Sequence, residues 1–194
     1  MRLFVAITPP AAVLDEVEAA VGPLRPGRPD LRWTSPADWH ITLAFLGEVA
    51  EPVLPGLQLR LDRAAHRNPC LQLSVRSAGT FGSPRRARVL WAGIHADQYT
   101  RQALRRLAQS VSAGARRAGA APSGEDHAYR PHLTLARCRV PCDVREPVAA
   151  LAGLAGSAWA ATSIQLLQSN PGSQPRYQEQ GSWPLRSAER RQDS

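Results

Sequence analysis

At 194 residues the chain has room for one domain or for two small lobes sharing a core, and 43% hydrophobic content suffices for a packed interior. No apolar run approaches the roughly 18 to 20 residues that span a bilayer, and the apolar start is too short for a secretory leader, so the sequence reads as a cytoplasmic protein. The formal charge is +8 and every basic residue is arginine; that composition fits GC-rich codon usage, and it also suits an anionic substrate, because the guanidinium fork matches phosphate oxygens.

Arg2 to Ile7 reads as a first strand, stopped by Pro9-Pro10. Val13, Leu14, Val17 and Val21 recur at helical spacing and predict a helix from Ala11 to Val21. Three prolines and two glycines make Gly22 to Asp30 a loop. A short strand follows at Leu31 to Thr34, then a turn through Ser35 to Asp38 and a strand from Trp39 to Leu46, closed by Gly47. Pro52 to Arg67 is expected to be helical, with Leu54, Leu57, Leu61 and Ala65 inward and Pro55 in the first turn, where proline is tolerated.

Cys70 to Ser77 alternates as a strand, Gly79 to Arg88 reads as a loop, and Val89 to His95 as another strand. Gln98 to Arg117 predicts a long helix with Leu104, Leu107 and Val111 inward, and Gly114 to Asp126 a flexible lead-in. Pro131 opens a strand, a position where proline is allowed. A short helix is expected within Val144 to Leu154, a strand over Thr162 to Gln168, and its partner over Arg176 to Trp183 across an Asn170-Pro171-Gly172 turn. Residues 1 to 186 are read as one bilobal domain and 187 to 194 as a disordered tail. The order of elements suggests two βαβ-type lobes in an α+β arrangement.

Three cysteines, Cys70, Cys138 and Cys142, without a secretory leader argue against a disulfide framework. Cys138-x3-Cys142 lacks two further ligands at recognisable spacing, so no metal site is expected.

Two stretches repeat one another. His40-Ile41-Thr42-Leu43-Ala44 and His132-Leu133-Thr134-Leu135-Ala136 lie 92 residues apart, each in a run of alternating apolar residues. On a strand, positions i and i+2 share a face. His and Thr of each copy therefore project together, and the repeat suggests that the pairs face each other across a cleft. A single His-x-Thr on a strand is usually a surface pair or a satisfied core histidine; the duplication in the same apolar frame makes a functional reading the stronger one. His66, His95 and His127 have no such frame and are read as structural.

Two imidazoles supply a general acid and a general base that work near neutral pH. Two threonine hydroxyls beside them can donate to phosphate oxygens. That set suits in-line displacement at phosphorus without a metal. Arg137 lies five residues after His132. At that odd offset a regular strand turns it away from the histidine, so it reaches the phosphate only through a twist, a bulge or the strand end.

With these residues in view, the chain resembles the two-histidine (2H) phosphoesterases, and within them the RNA 2′,3′-cyclic phosphodiesterases, the LigT-like 2′-5′ RNA ligases. The matching segments are the opening Arg-Leu-Phe-Val-Ala-Ile strand, His40 to Leu43 followed by Phe45-Leu46-Gly47, Arg130 to Arg137, and Leu166 to Tyr177 as the closing hairpin. The resemblance implies an α+β fold of two pseudo-symmetric αβ lobes with antiparallel sheets around a central cleft. It implies His40 and His132 as the acid–base pair, with His40 protonating a leaving O3′ and His132 activating water. It also implies Thr42, Thr134 and Arg137 as phosphate ligands and Phe45 as a nucleobase platform, the alternative for Phe45 being core packing. Arg130 is a further substrate-binding position, preceded here by Tyr129.

No cofactor is implied. The expected partner is RNA with 2′,3′-cyclic phosphate ends, or a cyclic nucleotide, acted on by a monomer. Alternatives are 2′-5′ RNA ligation, an ADP-ribose cyclic phosphodiesterase, and a non-catalytic RNA-binding module.

Overall fold

The computed structural model describes residues 1–120, 122 and 129–187. Most of the expected disordered tail, His127 and the later part of the expected lead-in lie outside these residues. Nine strands form one sheet: β1 (Arg2–Ile7), β2 (Leu31–Trp33), β3 (Ile41–Glu48), β4 (Leu71–Phe81), β5 (Ala87–His95), β6 (His132–Cys142), β7 (Trp159–Ala161), β8 (Ser163–Ser169) and β9 (Tyr177–Pro184). Their order is β7-β4-β5-β6-β3-β1-β8-β9, with β2 added to β6. The helices are α1 (Ala11–Val21), α2 (Leu54–Arg67), α3 (Gln98–Arg117) and α4 (Arg145–Ala150).

The order divides into β7-β4-β5-β6 and β3-β1-β8-β9. The two motif strands meet in the middle, joined by one antiparallel pair, Ile41 opposite Leu133. These are the apolar positions inside the two His-x-Thr motifs, so the pseudo-symmetry runs through the motifs themselves. Every pairing between named strands is antiparallel. This corrects the βαβ reading, which would have placed parallel neighbours across each helix. A helix between two strands does not by itself set their relative direction.

Strand β1 is buried on both faces, which explains its unbroken apolar run. One face, Leu3, Val5 and Ile7, joins the main core. The other, Phe4 and Ala6, forms a small cluster with Leu167, against which Tyr177 packs. The main core is closed by the helices. Val13, Val17 and Val21 of α1, Leu57 and Leu61 of α2, and Leu104, Leu107 and Val111 of α3 are all buried at i, i+3, i+4 spacing. Burying each such side chain contributes about 1.5–3 kcal/mol. Asp97 caps α3, its carboxylate accepting from the Thr100 backbone N–H at 2.7 Å, the usual way one orphan N–H of a first turn is satisfied.

The expected loop over Gly79 to Arg88 is shorter than its glycines and prolines suggest. Strands β4 and β5 run on to Phe81 and Ala87, and Gly82 at φ +88° takes the left-handed turn between them. The extension has a packing cause: Gly79 lies under the Trp91 ring, where a Cβ would come within 2.3 Å of the indole. The helix expected from Pro52 begins as a 3-10 turn over Glu51–Val53, and the one expected within Val144 to Leu154 contracts to α4. Strand β7, three residues long, is too short to show a period.

Candidate active site

His40 and His132 each stand at the entrance of a central strand and are held in the same way. His40 Nδ1 lies 2.8 Å from the Asp38 carbonyl, and His132 Nδ1 2.8 Å from the Arg130 carbonyl. A carbonyl oxygen only accepts, so each Nδ1 carries the proton and donates it. Each Nε2 is then the nitrogen left for chemistry. Trp39, buried immediately before His40, anchors that end of the strand in the core.

Aromatic rings fix the planes of both imidazoles. Phe4 of β1 lies 4.7 Å from the His40 ring and Tyr177 of β9 lies 5.2 Å away, edge-on. Phe81 of β4 lies 4.9 Å from the His132 ring, edge-on, and Trp91 of β5 lies 6.2 Å away. Each half of the sheet thus supplies one histidine and two aromatic walls.

The same bulge follows both motifs. Along β3, Ala6 of β1 faces Thr42 while Val5 faces Ala44, so Leu43 is the extra residue. Along β6, Trp91 of β5 faces Thr134 while Leu90 faces Ala136, so Leu135 is the extra residue. In each copy two consecutive residues, Leu43-Ala44 and Leu135-Ala136, are buried. A bulge reverses the alternation beyond it. Phe45 and Arg137, both five residues after their histidines, are thereby turned onto the histidine face. This resolves the odd offset of Arg137.

His40, Thr42, Phe45, His132, Thr134 and Arg137 accordingly line one cleft of about 630 Å³. Phe45 is 52% exposed there, so core packing is not its place. Arg130 does not join them: it lines a neighbouring cavity, and only its carbonyl serves the site, by holding His132. Three further arginines, Arg2, Arg32 and Arg176, line the cleft, with Asp38 as the one carboxylate among its described lining residues. Sequence reasoning missed these and the aromatic walls. The faint signal was the odd second face of β1, whose Phe4 has no reason to be apolar unless something packs on it.

Burial lowers the basicity of both histidines. His40 is pushed down to about 4, first by desolvation and further by His132, Arg176 and Arg137, against the opposing Asp38 carbonyl. His132 is also lowered, by burial and then by Arg137 and Arg130. Both imidazoles are thus neutral at neutral pH in the free protein, contrary to the ordinary value assumed from sequence. A bound anion opposes this shift.

Among the described residues no three His, Cys, Asp or Glu side chains converge as a metal site would require. Cys142 lies beside Cys138 and Asp30, and burial with these neighbours pushes its thiol up to about 12. No described helix is long and apolar enough to cross a membrane.

Comparison with known proteins bears on this geometry. Residues 7–91 match the model of the LigT like Phosphoesterase family. The RNA 2′,3′-cyclic phosphodiesterase of Thermus thermophilus is 31% identical over 176 residues, covering 87% of this chain and 82% of the relative. The chain belongs to the LigT-like phosphoesterases. A crystal structure of a Thermus thermophilus protein superposes with a TM-score of 0.78 at 28% identity, over 96% of this chain and 99% of that one. Escherichia coli LigT complexed with 3′-AMP superposes with a TM-score of 0.73 at 27% identity, over 95% and 97%. The antiparallel, two-halved sheet is the LigT fold, as the resemblance implied, and the chain is a phosphoester-cleaving enzyme.

Proposed function

We propose that this phosphoesterase opens 2′,3′-cyclic phosphate ends of RNA to 2′-phosphomonoesters, using His40 and His132 as acid and base. The observation that carries the reading is the matched anchoring of the two imidazoles. Each donates Nδ1–H to the carbonyl two residues upstream and keeps Nε2 for a cleft lined by four arginines. The name carried by the Thermus thermophilus relative supports the substrate class.

In this mechanism His132 Nε2 takes a proton from water as the water oxygen bonds to phosphorus. The P–O3′ bond breaks, and His40 Nε2–H protonates the departing O3′. His40 is pushed down to about 4, so it can act as the donor only once binding has returned it to the imidazolium form. The substrate's own phosphate charge favours that imidazolium on binding. Thr42 and Thr134 donate to non-bridging oxygens, and Arg137 forks onto the same oxygens. Phe45 offers its exposed ring to the terminal base, with the apolar contact typical of single-stranded nucleic-acid sites. One chain supplies both half-sites, so the proposed reaction requires no residue from a second copy.

Incubation with an RNA ending in 2′,3′-cyclic phosphate, followed by identification of the product end, tests this. A 2′-phosphate end is expected. A 3′-phosphate end would overturn the leaving-group assignment, and tight binding without turnover would make the chain a binding module.

A further inference from the structure

Next to the catalytic cleft lies a second cavity, of about 290 Å³, which the mechanism does not use. The two are separated by the His132 wall. Trp91, Arg130 and Pro131 line the second cavity, while His132, which directly follows Pro131 and stacks near Trp91, lines the first. Gly93, also in the second cavity, pairs with His132 across β5 and β6. The cavity thus lies beside β4, at the end of β5 and the entrance to β6, where the sheet meets the first turns of α3.

Its chemistry is that of an anion site. Arg76 from β4, Arg101 and Arg105 from one face of α3, and Arg130 converge on it, with no carboxylate among the described lining residues. Two of its lining residues, Trp91 and Tyr129, each carry a buried polar atom, the indole nitrogen and the hydroxyl, with no hydrogen-bond partner. Ile94, Leu104 and Pro131 add apolar wall. Arginine forks and an apolar flank together fit a phosphate attached to a nucleoside better than a free inorganic ion.

We propose that this cavity is a subsite for an upstream internucleotide phosphate of the RNA chain whose cyclic end occupies the cleft. The inference rests on the proposed cyclic phosphodiesterase reading. It gives the enzyme a preference for oligonucleotides over cyclic mononucleotides, because only a longer chain reaches past the His132 wall.

The test is the double variant R101A/R105A, compared with wild type and with R116A/R117A. Arg116 and Arg117 are exposed in the last turn of the same helix, so the second variant removes equal charge away from the cavity. Alanine is the best helix former, and the exposed positions in both variants leave the fold intact. Substrates are a hexaribonucleotide ending in 2′,3′-cyclic phosphate and a 2′,3′-cyclic mononucleotide. R101A/R105A is expected to lower kcat/KM on the oligonucleotide by about tenfold or more and leave the mononucleotide unchanged, with R116A/R117A altering neither. Calorimetric binding of the hexanucleotide carrying a 2′-phosphate end should weaken in parallel, and its salt slope should fall by about 0.7, the loss of one single-strand phosphate contact. Equal losses on both substrates, no loss on the oligonucleotide, or an equal effect of R116A/R117A would each overturn the subsite. If wild type turns over neither cyclic substrate, the functional reading fails, and the binding comparison still decides the subsite.

Discussion

The region around His40 and the region around His132 share the anchoring of their imidazoles and differ in what surrounds it. Both have a carbonyl two residues upstream on Nδ1, a threonine two residues downstream, and a bulge at the following leucine. The position that this bulge turns into the cleft is Phe45 in one half and Arg137 in the other. In the proposed mechanism the first set follows from proton transfer needing the same geometry on either side of a phosphorus atom. In the proposed reading the divergence at the fifth residue divides the grip: one half would offer a face to a base, the other a fork to a phosphate. His40 is also set deep enough for burial to push it to about 4.

The strongest way to break this comparison is to remove the shared part. His40→Ala and His132→Ala should each lower turnover by about 10²- to 10⁴-fold on a 2′,3′-cyclic nucleotide. Acid and base act in one displacement, so the double variant should fall less far than the product of the single losses. Folded fraction by circular dichroism on the same samples separates catalysis from stability. A folded variant with near-full turnover would remove that histidine from the mechanism.

Removing the divergent residues sharpens it. Arg137→Ala should cost about 1.5–3 kcal/mol in kcat/KM, as for a charge-assisted hydrogen bond, and Arg137→Lys should recover little of it because the planar fork is gone. Phe45→Ala should lose about 1–3 kcal/mol, the range for one stacked base, and most of that should appear in KM. An Arg137 loss confined to KM, or a Phe45 loss confined to kcat, would reverse the division of labour.

The depressed histidines set the pH dependence. Profiles of kcat/KM report the free enzyme and should peak on the acid side of about 6.5, whereas kcat, reporting the complex, should peak nearer neutrality because bound phosphate favours imidazolium. The two apparent values belong to the pair. Stability follows the same shifts. Above about 6.5 both states hold neutral imidazoles; as pH falls from there toward about 4, the unfolded chain binds protons that the folded one refuses, so Tm should drop. Inorganic phosphate should offset that drop more at pH ~5 than at pH ~8, and an equal effect at both would show that the histidines do not face the anion. The smallest expected effect is none: EDTA should leave the rate unchanged, because the proposed proton transfers use only imidazoles. Loss on chelation, restored by a divalent cation, would replace the mechanism.

Local pattern alone determined a good deal here. The apolar alternation, the helical spacing in α1 and α3, and the duplicated His-x-Thr were legible because each depends on residues within a turn or a strand of one another. Those cues located both candidate histidines and both threonines. Tertiary structure decided the rest. The bulges at Leu43 and Leu135 exist only as mismatches of register with β1 and β5, so no reading of one strand could place Phe45 and Arg137 in the cleft. Phe4, Phe81, Trp91 and Tyr177 reach the histidines from four other strands, and Arg130 was drawn into a different cavity by the chain's entry into β6. The basicity of His40 likewise depends on burial beneath groups distant in sequence, and desolvation is a property of the assembled fold.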